Sequence, residues 1–138
     1  MCNCFKKWFQ NEYSFGANVL RLAFGLLFVL VAVKKFRMGY AGFAEGLIAK
    51  EGSLMAAELP SIVLLVYGYA LPALELVAGV LLLANKYVKE AYALVALMYL
   101  SFVFGQMYDG NTGKIGTDYI PSLAALSFAV FFHVRAEK

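Results

Sequence analysis

The chain has 138 residues, of which 62% are hydrophobic and only 15% charged, with a net charge of +3. A soluble domain is usually about one-half apolar and one-quarter charged, so these values argue against a water-facing domain. The small positive charge leaves no nucleic-acid footprint. The apolar excess instead falls into segments long enough to cross a bilayer, which takes about 20 residues at roughly 1.5 Å each.

Residues 1–13 are short, basic and aromatic, with Phe5, Trp8 and Phe9 among them. They are expected to lie at the membrane interface and to offer a docking strip to another subunit. Cys2 and Cys4 are the only cysteines. Two thiolates do not complete a zinc site, which takes four ligands, so no metal site is assigned. A metal bridge to a partner, lipidation, a redox role and incidental thiols are all readings of this C-x-C.

The first span is expected over 14–36. It ends in Lys34-Lys35-Phe36-Arg37 without a small-residue cleavage site, so it is not read as a signal peptide. In the loop that follows, Tyr40, Phe43, Leu47 and Ile48 recur at helical spacing. They predict a short amphipathic helix on the membrane surface, broken at Gly52-Ser53. Pro60 suits the first turn of a second span over 60–85. Residues Asn85 to Lys89 form a tight turn into a third span over 91–108. A turn cluster, Asp109-Gly110-Asn111-Thr112-Gly113, closes it. Asp118 is expected to cap a fourth span over 119–134, with Pro121 in its first turn. The predicted fold is all-α: one polytopic membrane domain over 1–138, a four-transmembrane-helix bundle with a short interfacial helix in its first loop.

With four spans, both termini share one side. That side carries Lys6, Lys7, Lys86, Lys89, Arg135 and Lys138, against Lys34, Lys35, Arg37, Lys50 and Lys114 opposite. The small excess favours cytoplasmic termini.

Polar side chains inside the spans need their own explanation. A central Arg, Lys or Asp costs about 2.5–3.5 kcal/mol to insert, so each is expected to face the bundle interior and find a partner. Arg21, Gly25, Phe28, Ala32 and Lys35 share one helical face. Glu75 shares its face with Gly68, Pro72 and Gly79, whose small side chains allow close helix approach. Arg21 and Glu75 both lie roughly 10–15 Å from the cytoplasmic ends of their helices and are expected to pair. A protonated, neutral Glu75 is the alternative. A second cluster, at the other end, is drawn from Lys34 or Lys35 with Gln106, Asp109 and Asp118. Either cluster reads as an interhelical clamp or as a site.

Several of these residues sit in short motifs that resemble a known family. Arg-Leu-Ala-Phe-Gly-Leu-Leu-Phe (21–28), Val-Lys-Lys-Phe (33–36), Gly42-Phe43-Ala44 and Pro-Ala-Leu-Glu (72–75) with Gly79 are similar to DoxX/DoxD-type membrane proteins. The family's best-known member is the membrane subunit of thiosulfate:quinone oxidoreductase. The likeness extends from Asn18 to Phe132. It implies a four-helix fold in respiratory or redox company, and Arg21, Lys35 and Glu75 are the positions it carries over.

The excluded chemistry narrows the function. His133 is the single histidine, so a bis-histidine haem is not available within the chain. Neither a four-cysteine cluster set nor a P-loop nor a dinucleotide fingerprint is present. The chain is therefore expected to bind no cofactor alone and not to be catalytic alone. Three readings follow. The first is the membrane subunit of a redox complex that anchors a partner and forms part of a quinone pocket, with Arg21, Lys35 and Gln106 donating to quinone carbonyls and Glu75 as proton site. The second is a structural or assembly subunit. The third is a small proton-coupled transporter.

Overall fold

The computed structural model describes residues 12–49 and 53–136; the expected N-terminal docking strip and the C-x-C lie outside the described residues. Helix α1 is Glu12–Arg37, α2 is Tyr40–Ile48, α3 is Leu54–Glu58, α4 is Ser61–Leu83 and α5 is Val88–Tyr108. The last helix, α6, runs over Thr112–Ala136 and contains a wide π-helical turn at Ile115–Tyr119. No strand occurs among the described residues. Four helices, α1, α4, α5 and α6, are long and apolar enough to span a bilayer.

The spanning helices form a ring in which α1 packs on α4 and α6, and α5 packs on α4 and α6. Its centre is filled from α1 by Phe24 and Phe28, from α4 by Leu71, Ala78 and Leu82, from α5 by Tyr92, Val95 and Tyr99, and from α6 by Leu126 and Ala129. Two edge-to-face ring pairs cross it, Phe24 with Tyr92 at 6.5 Å and Phe28 with Tyr99 at 5.7 Å. That geometry sets a positive ring edge on a negative face. Outside, Val19, Leu26, Leu30, Val66, Leu97, Leu100, Phe104 and Phe128 are exposed. A water-facing surface does not carry so continuous an apolar coat; a lipid-facing one does.

The helices α1 and α4 meet in a close seam. A Cβ built on Gly79 would meet the Val29 amide nitrogen at 2.8 Å and the Gly25 carbonyl oxygen at 2.9 Å. Gly25 and Gly79, without side chains, let the two backbones come so near. Both α4 and α5 end alike. The Lys86 amide donates to Leu81 O and the Asn85 amide to Leu82 O, with Asn85 at φ 55°. The Asn111 amide donates to Gln106 O and the Gly110 amide to Met107 O, with Gly110 at φ 72°. In each case a left-handed residue satisfies the last carbonyls.

Two expectations change here. The fourth span is not capped by Asp118. The helix starts at Thr112, because Gly113 and Gly116 are accommodated within it, and Asp118 falls inside the π turn, its carbonyl accepting from Ser122 Oγ at 2.6 Å. The short loop helix is present as expected, yet α2 does not merely rest on the membrane surface. Its Ala44 is fully buried against Gly68 of α4, where an added Cβ would meet Ala44 Cα at 2.6 Å.

Candidate functional site

The Glu75 side chain is buried, and its Oε1 lies 2.6 Å from Lys35 Nζ at the far end of α1. Lys35 also sits over the Phe43 ring, 4.4 Å from its centroid, a favourable place for a desolvated ammonium. Phe43 comes from α2, so the loop helix completes the environment of the ion pair. The other carboxylate oxygen, Glu75 Oε2, is buried and has no hydrogen-bond partner among the described residues.

The expected Arg21–Glu75 pair does not form. Arg21 Nη1 donates to the carbonyls of Leu82 and, at 3.3 Å, Leu83, and Nη2 donates to Asn18 Oδ1 at 3.3 Å. The guanidinium therefore lies over the C-terminal end of α4, where the helix dipole is negative and where the Leu82 carbonyl, already accepting from the Asn85 amide, takes a second donor. The reason is stagger. Equal depths bring Arg21 and Glu75 together only if the helix ends are flush, but α1 runs past the end of α4. Arg21 is level with Leu82–Leu83, some 10–12 Å along the helix from Glu75. The same stagger brings Lys35 to Glu75.

Around the ion pair lies a cavity of about 570 Å³, walled by α1, α4 and α5 and roofed by α2 and α3. Its lining is aromatic and aliphatic, with Phe28, Tyr67, Tyr99, Phe102 and Tyr119 among the rings. The π turn presents Tyr119 to Tyr99 and Phe102, at centroid distances of 6.5 and 6.0 Å. Polar groups are few and localised. Tyr67 Oη and Ser101 Oγ are 2.8 Å apart, and Ser101 Oγ donates to Met98 O at 2.7 Å. The Tyr67 hydroxyl is thus the donor in that pair. Gln106 lines the cavity too, and its Oε1 is buried without a partner among the described residues.

Of the second expected cluster, Lys35, Gln106 and Asp109 line this cavity, whereas Lys34 and Asp118 are exposed and do not. Asp109 fastens the roof: its Oδ1 accepts from Ser53 Oγ at 2.8 Å and from the Met55 amide at 3.2 Å. Ser53 in turn caps α3 by accepting from the Ala56 amide at 3.2 Å. Asp109→Ala should cost about 1 kcal/mol or more, because it strands two partly buried donors. The measurable outcome is faster hydrogen exchange over residues 53–59, with exchange at the centre of α5 unchanged.

Compared with known families, residues 13–115 match a family model described as methylamine utilisation protein MauE. The chain belongs to the MauE family. MauE is a membrane protein family, which agrees with the four spanning helices. No curated protein and no solved structure matches the chain significantly. The match overturns the DoxX/DoxD resemblance. That resemblance rested on short, mostly apolar helix-face motifs, whereas the MauE match runs continuously from the first span through the third.

In this MauE-family chain three of the four expected site residues, Lys35, Glu75 and Gln106, line one cavity, and Arg21 stands apart at the end of α4. Sequence reading missed Tyr67, Ser101 and Tyr119 as cavity residues. Tyr67 and Ser101 are single polar groups in apolar runs and signal only a face. Tyr119 depends on the π turn, which no sequence period announces.

Proposed function

We propose that this chain is a membrane-embedded accessory component of a redox system of the kind its family is named for, methylamine utilisation, and that the Lys35–Glu75 cavity holds the ring of a quinone or its reduced form. The observation that carries the reading is the pair of buried acceptors, Glu75 Oε2 and Gln106 Oε1, that the described residues leave unsatisfied in an aromatic-lined space. A buried acceptor without a donor costs about 1–3 kcal/mol, so the site is complete only with a ligand that brings donors. A hydroquinone brings two hydroxyls. Its flat ring suits walls built from Phe28, Tyr99 and Phe102, and its volume fits a cavity typical of small-molecule sites.

Lys35 supplies the complementary contact, a cation able to donate to a ring oxygen, and Glu75 is placed to exchange a proton with the same ligand. Electrons come from and go to a partner. The cavity's polar end, with Gln106, Asp109 and Ser53, is on the side opposite the termini. With the termini in the cytoplasm, as the basic residues favour, that end faces outward.

The test uses the purified protein in lipid nanodiscs with a short-chain ubiquinol kept reduced under argon. A ligand at 100 times its Kd stabilises a protein by about 2.7 kcal/mol, a clear rise in melting temperature. We expect the quinol to stabilise more than the matching quinone, and Gln106→Leu to remove most of the difference. Equal or no stabilisation by both would end the quinol reading.

A further inference from the structure

The face of α1 turned toward α6 is covered at one end and bare further along. Near the termini, Gly16 lies against the Phe132 ring of α6, which an added Cβ would meet at 3.3 Å, and the Tyr13 ring sits 6.2 Å from the same ring. Leu27 follows Gly16 by eleven residues, about three turns, and so returns to that face. It is nevertheless 47% exposed. Val31, one turn on, is half-buried. Leu27 and Val31 also line the Lys35–Glu75 cavity. A side chain that lines a cavity and faces outward as well stands at its mouth.

Two other seams of the cavity wall are held together. Gly25 on Gly79 closes α1 against α4, and the Tyr67–Ser101 hydrogen bond ties α4 to α5. At α6 the π turn carries Tyr119 onto Tyr99 and Phe102 of α5, so this end of α6 packs on α5. A cleft remains between α1 and α6. It begins beside Leu27, near the middle of α1, next to Phe28 and at the ion-pair end of the cavity. At that depth in a bilayer the surroundings are acyl chains.

We infer that this cleft is a lateral entrance: the cavity's ligand comes in from the bilayer, and its hydrocarbon tail stays outside, passing between Leu27 of α1 and Tyr119 of α6 into lipid. The inference rests on the quinol reading above and narrows it to a lipid-soluble quinol that carries a chain on its ring. A cavity of about 570 Å³ takes a ring of that kind, not a ring with a long chain folded beside it. A tail left in lipid exchanges one hydrocarbon environment for the same one. It adds little affinity of its own and matters only when the cleft is shut.

The experiment compares decyl-ubiquinol with the tailless ubiquinol, both kept reduced, on the protein in lipid nanodiscs. Apparent Kd is read from the rise in melting temperature, and each ligand is compared with itself across variants, so that partition of the tail into lipid cancels. The wild type should respond to both. Leu27→Trp fills the cleft without touching Lys35 or Glu75, and should weaken decyl-ubiquinol roughly tenfold or more, the equivalent of about 1.4 kcal/mol, while the tailless quinol binds as before. Val31→Phe, one turn further along the same face, is a second plug and should act alike. Leu30→Trp, exposed to lipid and outside the cavity lining, should change neither ligand. If the plugs weaken both quinols equally, or neither, the entrance is overturned while the quinol reading stands. A wild type that responds only to the tailless quinol overturns the entrance in the same way. A wild type that responds to neither ends the quinol reading, and the entrance with it.

Discussion

Lys35→Met should unfold or aggregate the protein, while Lys35→Met combined with Glu75→Leu should restore it. Removing one member of a buried ion pair costs about 3–5 kcal/mol, because an uncompensated charge stays behind; replacing both by apolar side chains of similar volume is often neutral. Glu75 is almost fully buried and meets Lys35 at 2.6 Å, so it falls in this class. Arg21 cannot rescue it, being committed to the Leu82 and Leu83 carbonyls. Detergent melting of the two single variants and the double variant measures the coupling. If the pair were only a clamp, the double variant would also keep quinol-dependent stabilisation. A double variant that melts like the wild type but no longer responds to the quinol assigns the pair to ligand binding. Near-additive single effects, with no rescue, would show that the pair is not coupled.

Gly79→Val should have the second largest effect. The new side chain would project into backbone atoms of α1, the Val29 amide and the Gly25 carbonyl, rather than into the tip of a flexible side chain. The helices must separate, and overpacking of this kind typically costs about 1–3 kcal/mol or more. Its control is Gly42→Ala on α2, where an added Cβ meets nothing within 4 Å. There, the lower helix entropy cost of alanine gives a change of about 0.5–1 kcal/mol in the stabilising direction. Melting of the two variants side by side should move in opposite directions. A Gly79→Val protein that melts like the wild type would mean that the α1–α4 seam opens without cost.

The four spans were legible because a bilayer imposes a length and a composition that few other environments require. The inward faces were legible too: Arg21, Phe28 and Ala32 on α1, and Gly68, Pro72, Glu75 and Gly79 on α4, are all buried. Helical period fixes which residues share a face. It does not fix how far one helix slides along another, and a slide of two turns separated Arg21 from Glu75 and delivered Lys35 in its place. The glycine seam that sets the slide was visible as residues, yet the pairing of Gly25 with Gly79 was not. The roof over the cavity was hidden for a different reason. The α2 segment reads as amphipathic, and an amphipathic face does not say whether lipid or protein covers it. Ala44 on Gly68 settles that only in three dimensions.

The contrast between the two cations inside the spans has an electrical consequence. Lys35 and Glu75 together carry no net charge, so the transmembrane voltage exerts no net force on the pair. The hydrogen-bond partners of Arg21 among the described residues, the Leu82 and Leu83 carbonyls and Asn18 Oδ1, are neutral, and it remains a full positive charge fixed at one depth. A whole charge crossing the membrane is worth about 2.3 kcal/mol per 100 mV. A ligand that enters the cavity without a proton should therefore bind equally well in polarised and depolarised vesicles. One that moves a proton to or from Glu75 carries charge through part of the field, and its affinity should vary with voltage in proportion to that depth.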